Sequence, residues 1–260
     1  MRPDEVQYRV ESGIATIAIN RPDRRNAVQY DVMREIVRRL DEASADAAVR
    51  AIVFTGTGEK AFCAGADLTS MQGVGFTQLH EARGYLVELV RKIVKLPKPI
   101  VARVNGAALG GGFGLALACD LTIASATATF GTPEIDLGLF PMMIMPLIFR
   151  NCNNRKRALE MMLTGEKLSA EQALALGFVN RVVPPGELDR AVGEVAAKLA
   201  SKSPVVMKLG REAFYRMQEL PFDGALDYLK CMLTIDVMTD DAAEGITAFL
   251  EKRAPVWKGQ

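Results

Sequence analysis

Histidine is almost absent from this chain: its 260 residues include one, His80. A zinc centre built on imidazoles needs several, so none is expected. A serine–histidine–aspartate triad would have to rest on His80 alone. Cysteine is scarce as well. Cys63, Cys119, Cys152 and Cys231 show no C-x-x-C spacing and are too few for a disulfide scaffold, so a reduced, cytoplasmic compartment is expected. No run of about 18 apolar residues is found, which speaks against a membrane-spanning helix. The opening MRPDEVQYRVESG is charged and has no apolar stretch, so it does not read as a secretory signal. An excess of either charge is missing too, since 32 Lys and Arg against 31 Asp and Glu leave a net +1. That balance argues against nucleic acid or an anionic membrane as partner. With 49% hydrophobic residues the chain is too apolar to be disordered.

What is present is a regular alternation. Residues 6–10 and 14–19 alternate apolar with polar or small side chains around Ser12-Gly13, the pattern of a hairpin. Val32, Met33, Ile36, Val37 and Leu40 recur at helical spacing over 30–43. Residues 51–56 and 99–104 are short apolar runs of the buried-strand kind, with a helix over 78–95 between them. A helix over 110–118 and a strand over 121–124 follow. Strands alternating with helices predict an α/β architecture with right-handed crossovers. Beyond residue 150 helices dominate, over 154–163, 169–176, 186–200, 204–218, 222–237 and 240–253, with one strand in 178–183. The expected organisation is an α/β core over residues 1–200 and a helical region over 201–260. The late helices carry much apolar surface, including Phe214, Leu226, Leu233, Phe249 and Leu250. It either packs back on the core or forms an interface between subunits.

Two loops rich in small residues follow buried strands. One runs Asn105-Gly106-Ala107-Ala108-Leu109-Gly110-Gly111-Gly112-Phe113-Gly114 and opens a helix. Glycine there lets backbone approach a ligand, and the helix N-terminus offers free N–H donors. Such a turn suits a phosphate or a developing oxyanion, or it serves tight helix–strand packing alone. It matches neither the dinucleotide fingerprint nor a P-loop, which disfavours a dehydrogenase. The second loop is Ala61-Phe62-Cys63-Ala64-Gly65-Ala66-Asp67-Leu68. Paired loops at the ends of parallel strands are where ligands bind in open α/β folds. No base neighbours Cys63 in sequence, so it reads as a packed thiol rather than a nucleophile. Glu134 lies in the apolar stretch FGTPEIDLG. It is either a buried acid/base whose pKa burial would raise, or a surface charge capping the turn after Pro133.

Asn20-Arg21-Pro22 with Asn26-Ala27, then AFCAGADL, KPIVARVNGAALGGG, ACDLTIAS, FGTPEIDLGLFP, LTGEKLSAEQALALGFVNRVVP and EGITAFLEKRAPVW, in this order and spacing, resemble the crotonase (enoyl-CoA hydratase/isomerase) family. The likeness covers nearly the whole chain. It implies an α/β spiral of ββα turns followed by a helical trimerisation region, with trimers that commonly pair into hexamers. It implies an acyl-CoA thioester substrate and no metal or redox cofactor, coenzyme A entering as part of the substrate. By motif position the backbone N–H groups of Ala66 and Gly111 form an oxyanion hole and Glu134 transfers the proton. Ala64, Asp67, Leu68, Gly114 and Met142 are expected along the substrate. Arg24 and Arg25, after the Arg21-Pro22-Asp23 turn, either hold CoA phosphates or form a solvated charge pair.

The chain departs from the family at two positions. Family hydratases carry a first glutamate twenty residues before the second, and here that position is Gly114. Asp136, Glu81 and Glu88 are the candidates to replace the missing carboxylate. One carboxylate still moves a proton between carbons, as in the family's Δ3,Δ2-enoyl-CoA isomerases, and some single-glutamate members still hydrate. The second departure is Met142, which stands where the family often has a glycine whose N–H helps hold the water. The expected function is therefore hydration of a 2-enoyl-CoA or a 3-enoyl to 2-enoyl double-bond shift. The competing reading is an acyl-CoA-binding protein of the same fold whose chemistry has lapsed.

Overall fold

The computed structural model describes residues 4–71, 73 and 75–260. In chain order the first elements are β1 (Val6–Glu11), β2 (Ile14–Ile19), α1 (Tyr30–Ala45), β3 (Ala51–Gly56), β4 (Ala61–Cys63) and α2 (Phe76–Val94). Then come β5 (Ile100–Val104), β6 (Ala107–Leu109), α3 (Gly111–Ala118), β7 (Leu121–Ser125), β8 (Thr129–Gly131), α4 (Met145–Asn151) and α5 (Arg155–Thr164). The chain closes with β9 (Lys167–Ser169), α6 (Ala170–Ala175), β10 (Arg181–Val183), α7 (Leu188–Ala200), α8 (Pro204–Met217), α9 (Phe222–Val237) and α10 (Asp240–Leu250).

β1 and β2 form the expected antiparallel hairpin. Ser12 and Gly13 turn it with φ of 50° and 76°, the left-handed pair that matches strand twist in a two-residue loop. Every later pairing in this sheet is parallel, in the order β1-β2-β3-β5-β7-β10. A second sheet runs β4-β6-β8-β9. Each consecutive pair, β3/β4, β5/β6 and β7/β8, gives its first strand to the large sheet and its second to the small one. This repeat is the expected spiral of ββα turns. The sequence pattern predicts the large sheet but not the small one. Its strands have three residues each, too few for an alternation to register. The strand expected over 178–183 contracts to Arg181–Val183, because Phe178 and Val179 enter the core from irregular backbone.

Both faces of the large sheet are covered. α1 buries Val32, Met33, Ile36 and Leu40, the side chains its periodicity marked. α7 lays Leu188, Ala191, Val192 and Ala196 on the opposite face, against Val53, Val101 and Ile123. Each large aliphatic side chain fully withdrawn from water contributes about 1.5–3 kcal/mol. The C-terminal helices are tied to this core by one polar knot. Arg211 donates from Nε and Nη2 to the two oxygens of Asp120 at 2.8 Å each, and Tyr215 adds its hydroxyl at 2.7 Å. Asp120 also accepts the Ile100 N–H at 2.8 Å, so the knot reaches the central sheet.

Packing decides the first departure noted above. Gly114 is buried in α3, and a Cβ built there would lie 2.3 Å from Ile144 Cγ2 and 2.9 Å from Ile144 Cβ. Ile144 is itself buried and cannot swing away. Alanine normally gains about 1 kcal/mol over glycine inside a helix, but overpacking a filled core costs about 1–3 kcal/mol. Gly114→Ala should therefore lower the unfolding midpoint in denaturant, whereas in an Ile144→Ala background the same change should be neutral or stabilising. Equal effects in both backgrounds would mean the two residues do not compete for space.

Candidate active site

The small sheet builds the site. β4, β6 and β8 are parallel, with Cys63 opposite Ala108, Ala108 opposite Phe130 and Leu109 opposite Gly131. Their C-terminal ends therefore release three loops at one edge: Ala64-Gly65-Ala66, Gly110-Gly111 and Thr132-Pro133-Glu134. The loops meet backbone to backbone. Gly65 has φ of 97°, and a Cβ on it would stand 3.0 Å from the Leu109 carbonyl. Gly110 has φ of 52°, and its Cβ would stand 2.7 Å from Glu134 Oε1. A side chain at Gly110 would displace the carboxylate, so glycine is required there for backbone conformation and space alike.

Two N–H groups are left open by this arrangement. Val28 N–H donates to the Gly65 carbonyl at 2.8 Å, and Asp67 N–H donates to the Val28 carbonyl at 3.0 Å. The intervening Ala66 N–H accordingly has no partner among the described residues. Gly111 is the first residue of α3 and lies in the turn whose N–H groups have no intrahelical acceptor. Its donor, too, is unpaired among the described residues. The loop bearing Ala66 is held from behind. Arg21 is buried between Glu5 and Asp67, with Nη2 at 3.0 Å from Asp67 Oδ2. Gln29 and Thr69 also donate to Asp67, and the Thr69 and Arg21 bonds hold its carboxyl below the usual range. Asn26 fixes β4 by donating to the Ala61 carbonyl at 2.7 Å.

Glu134 sits in a short 3-10 turn, Pro133–Leu137, closed by Gly138 in the left-handed conformation. Its Oε2 is buried without a hydrogen-bond partner. Burial disfavours the charged form and raises its pKa above the ordinary carboxylate value, and no cation offsets this. The carboxylate faces a cavity of about 530 Å³. Ala64, Gly65, Ala66, Gly110 and Gly111 form one wall, and Leu137, Leu139, Met142, Met143 and Ile144 form another. α2 closes it with Ala82, Arg83 and Leu86. Among the described lining residues Tyr30, Arg83 and Glu134 alone carry polar side chains. The arrangement can hold an oxygen that gains negative charge and move a proton beside it, in surroundings that exclude water.

Ala64, Ala66, Leu68, Gly111, Glu134 and Met142 thus line one cavity. Two expected contacts, Asp67 and Gly114, are corrected. Asp67 is turned into the protein and acts by positioning its loop. Gly114 lies behind the wall, covered by Ile144. Met142 presents its side chain, but its N–H donates to the Phe140 carbonyl at 2.8 Å and is not free to hold a water. Arg24 and Arg25 are exposed and outside the cavity lining, though the Arg25 carbonyl accepts the Ala64 N–H at 3.0 Å and so adjoins the site. Asp136, Glu81 and Glu88 do not reach the cavity, and no second carboxylate is among its described lining residues. Cys63 is packed, and burial pushes its thiol up to about 12. The wall from α2 and the residues Tyr30 and Met33 of α1 were missed in the sequence. The spacing of Ala82, Arg83 and Leu86 on one helical face was the available signal.

A family model described as enoyl-CoA hydratase/isomerase matches residues 9–260. The chain is 35% identical over 253 residues to the short-chain-enoyl-CoA hydratase of Clostridium acetobutylicum, covering 97% of each. It is 35% identical over 243 residues to the crotonyl-CoA hydratase of Syntrophomonas wolfei, covering 94% of each. The crystal structure of an enoyl-CoA hydratase from Mycobacterium smegmatis superposes with a TM-score of 0.93 at 34% identity, covering 97% of this chain and 98% of that one. With the spiral fold, the paired loops and these likenesses extending end to end, the chain belongs to the enoyl-CoA hydratase/isomerase family.

Proposed function

We propose that the protein hydrates a 2-enoyl-CoA thioester, with Ala66 and Gly111 N–H groups holding the thioester oxygen and Glu134 moving the proton. The observation that carries this is the convergence on a single apolar cavity of two unpaired N–H groups and one half-buried carboxylate whose Oε2 has no partner. Ionised Glu134 takes a proton from water as its oxygen bonds to C3. The C2=C3 electron pair shifts toward the thioester, whose oxygen becomes an enolate held by the two donors. Glu134 then returns the proton to C2, and the product is the 3-hydroxyacyl-CoA. Every step uses groups of the chain, the thioester and water, so the reading calls for no added cofactor.

A second reading is favoured by one observation. Gly114 is roofed by Ile144 and the Met142 N–H is occupied, so the expected second holders of a water are missing. A lone carboxylate suits a double-bond shift, in which Glu134 takes a proton from C2 of a 3-enoyl-CoA and delivers it to C4. Product identification from crotonyl-CoA and a 3-enoyl-CoA separates the two. CoA binding without turnover of either would support the lapsed, binding-only protein instead.

Glu134→Gln keeps the shape but carries no proton, so kcat should fall by about 10²–10⁴-fold with acyl-CoA affinity nearly unchanged. Because burial raises its pKa, the acid limb of kcat/KM in the wild type should lie above the range of an ordinary carboxylate, and the Gln variant should lack it. A Gln variant retaining most of its activity would move the chemistry off Glu134. Arg24 and Arg25 are proposed to hold CoA phosphates at the mouth. Replacing both by alanine should weaken CoA binding and flatten its salt dependence, and unchanged titrations would remove that role. For assembly we propose a homotrimer or a dimer of trimers. None of the 16 residues of α9 is buried, while Met238 and Phe249 are 82% and 81% exposed beside an apolar groove of about 950 Å³. A second copy would cover this surface. Sedimentation at micromolar concentration should give three or six subunits, and a monomer would refute it.

A further inference from the structure

The cavity wall contains two polar groups that the proton chemistry does not use. Arg83, on α2, is exposed at the rim of the cavity and forms no hydrogen bond or ion pair among the described residues. Tyr30 has its hydroxyl buried without a partner. The two belong to neighbouring elements: the Tyr30 ring lies 5.8 Å from that of Tyr85, which is on α2 beside Leu86. The nearby Arg34 is not equivalent, since it pairs with Asp31 and stacks on Tyr85. Leu86 in turn lies against Gly111, its Cδ2 3.8 Å from where a Cβ would stand. Arg83 is thus about one helical turn along α2 from the oxyanion hole, a distance an acyl chain spans. It also stands where the cavity meets a neighbouring groove of about 780 Å³, because Arg83 and Met143 line both. Beyond this junction the described groove residues include Arg91, Lys92 and Lys95 with Glu88, and Lys92 is paired with Asp41.

We infer that Arg83, with Tyr30, selects acyl chains that end in a carboxylate, so that the preferred substrate is a half-thioester of an unsaturated dicarboxylic acid. This rests on the acyl-CoA reading above. A purely alkyl chain long enough to reach Arg83 would cover an unpaired guanidinium with methylenes, which costs desolvation without return. A terminal carboxylate would instead gain a charge-assisted, two-pronged bond from Arg83, and the Tyr30 hydroxyl would find an acceptor. A short chain such as crotonyl stops before the junction and is indifferent to it.

The test compares adipyl-CoA with hexanoyl-CoA, equal in chain length and differing in the terminal group, by calorimetric binding to the whole protein. Crotonyl-CoA turnover is measured on the same preparation. The wild type should bind adipyl-CoA about 10–100-fold more tightly, the range expected of a hydrogen bond to a charged group. Arg83→Leu should abolish or reverse this preference, Arg83→Lys should retain part of it, and Tyr30→Phe should reduce it several-fold. Equal binding of both thioesters by wild type, with crotonyl-CoA turned over, would overturn this inference alone. So would a preference that survives in Arg83→Leu. Equal weakening of both ligands in that variant would overturn it too, since it would place the guanidinium on the CoA portion they share. If neither thioester binds, the acyl-CoA reading falls and this inference falls with it.

Discussion

Two backbone N–H groups can point at one oxygen only if the segments carrying them touch, and most of this architecture serves that contact. The loop after β4 and the loop after β6 approach so closely that a Cβ on Gly112 would stand 2.1 Å from the Cys63 carbonyl. Parallel pairing of β4 with β6 sets the two segments side by side. Neither strand would hold that position alone, since a three-residue ladder has few hydrogen bonds to offer. The stability comes from the large sheet, to which each short strand is joined by a brief connection, so the spiral delivers the short strands already in place. Polar side chains then lock the remaining freedom: Asn26 and Asn105 both donate to the Ala61 carbonyl, and Arg21 clamps Asp67.

The same constraint explains which parts of the structure were legible in the sequence. The hairpin, α1, the buried strands of the large sheet and the C-terminal helices each carry a periodicity long enough to read, because each buries one face or two. Glycine at positions 65, 110, 111 and 112 was legible as backbone needing close approach, although which strand ends would meet was not. The small sheet was invisible because its order comes from its neighbours rather than from its own pattern. Asp67 looked like a ligand contact because motif position cannot tell a carboxylate facing a cavity from one facing an arginine behind it. Ile144 was invisible for the related reason that contact between α3 and the residue preceding α4 spans thirty positions of chain. Arg83 passed unremarked because it is exposed, as a lone arginine on a helix normally is, and only its place in the cavity lining marks it.

The missing first glutamate acquires a physical meaning from Ile144. A substitution to glycine alone would leave a void beside α3, and voids are costly. Here the void is filled by a buried branched side chain, so the wall is continuous and apolar where family hydratases carry a carboxylate. Gly114 and Ile144 therefore act together on the cavity, leaving an apolar surface beside α3 where the resemblance implied a carboxylate. An apolar surface strengthens the remaining electrostatic interactions in the site, including those of the two N–H donors with a developing enolate.

Carboxylates in this protein divide into two physical kinds. Asp67, Asp120 and Asp241 are placed where arginine, hydroxyl or backbone donors meet them. Such groups hold loops and helices in position because their charge is fully answered, and for the same reason they cannot give and take a proton reversibly. Glu134 is the opposite case: half-buried, unanswered at Oε2, and pushed toward the neutral form by desolvation. A cation beside it would restore its charge and fix its protonation state, ending its use as a carrier. Arg83 lines the same cavity. Under the readings proposed above, one cavity holds a group that must change its protonation and a cation that must not.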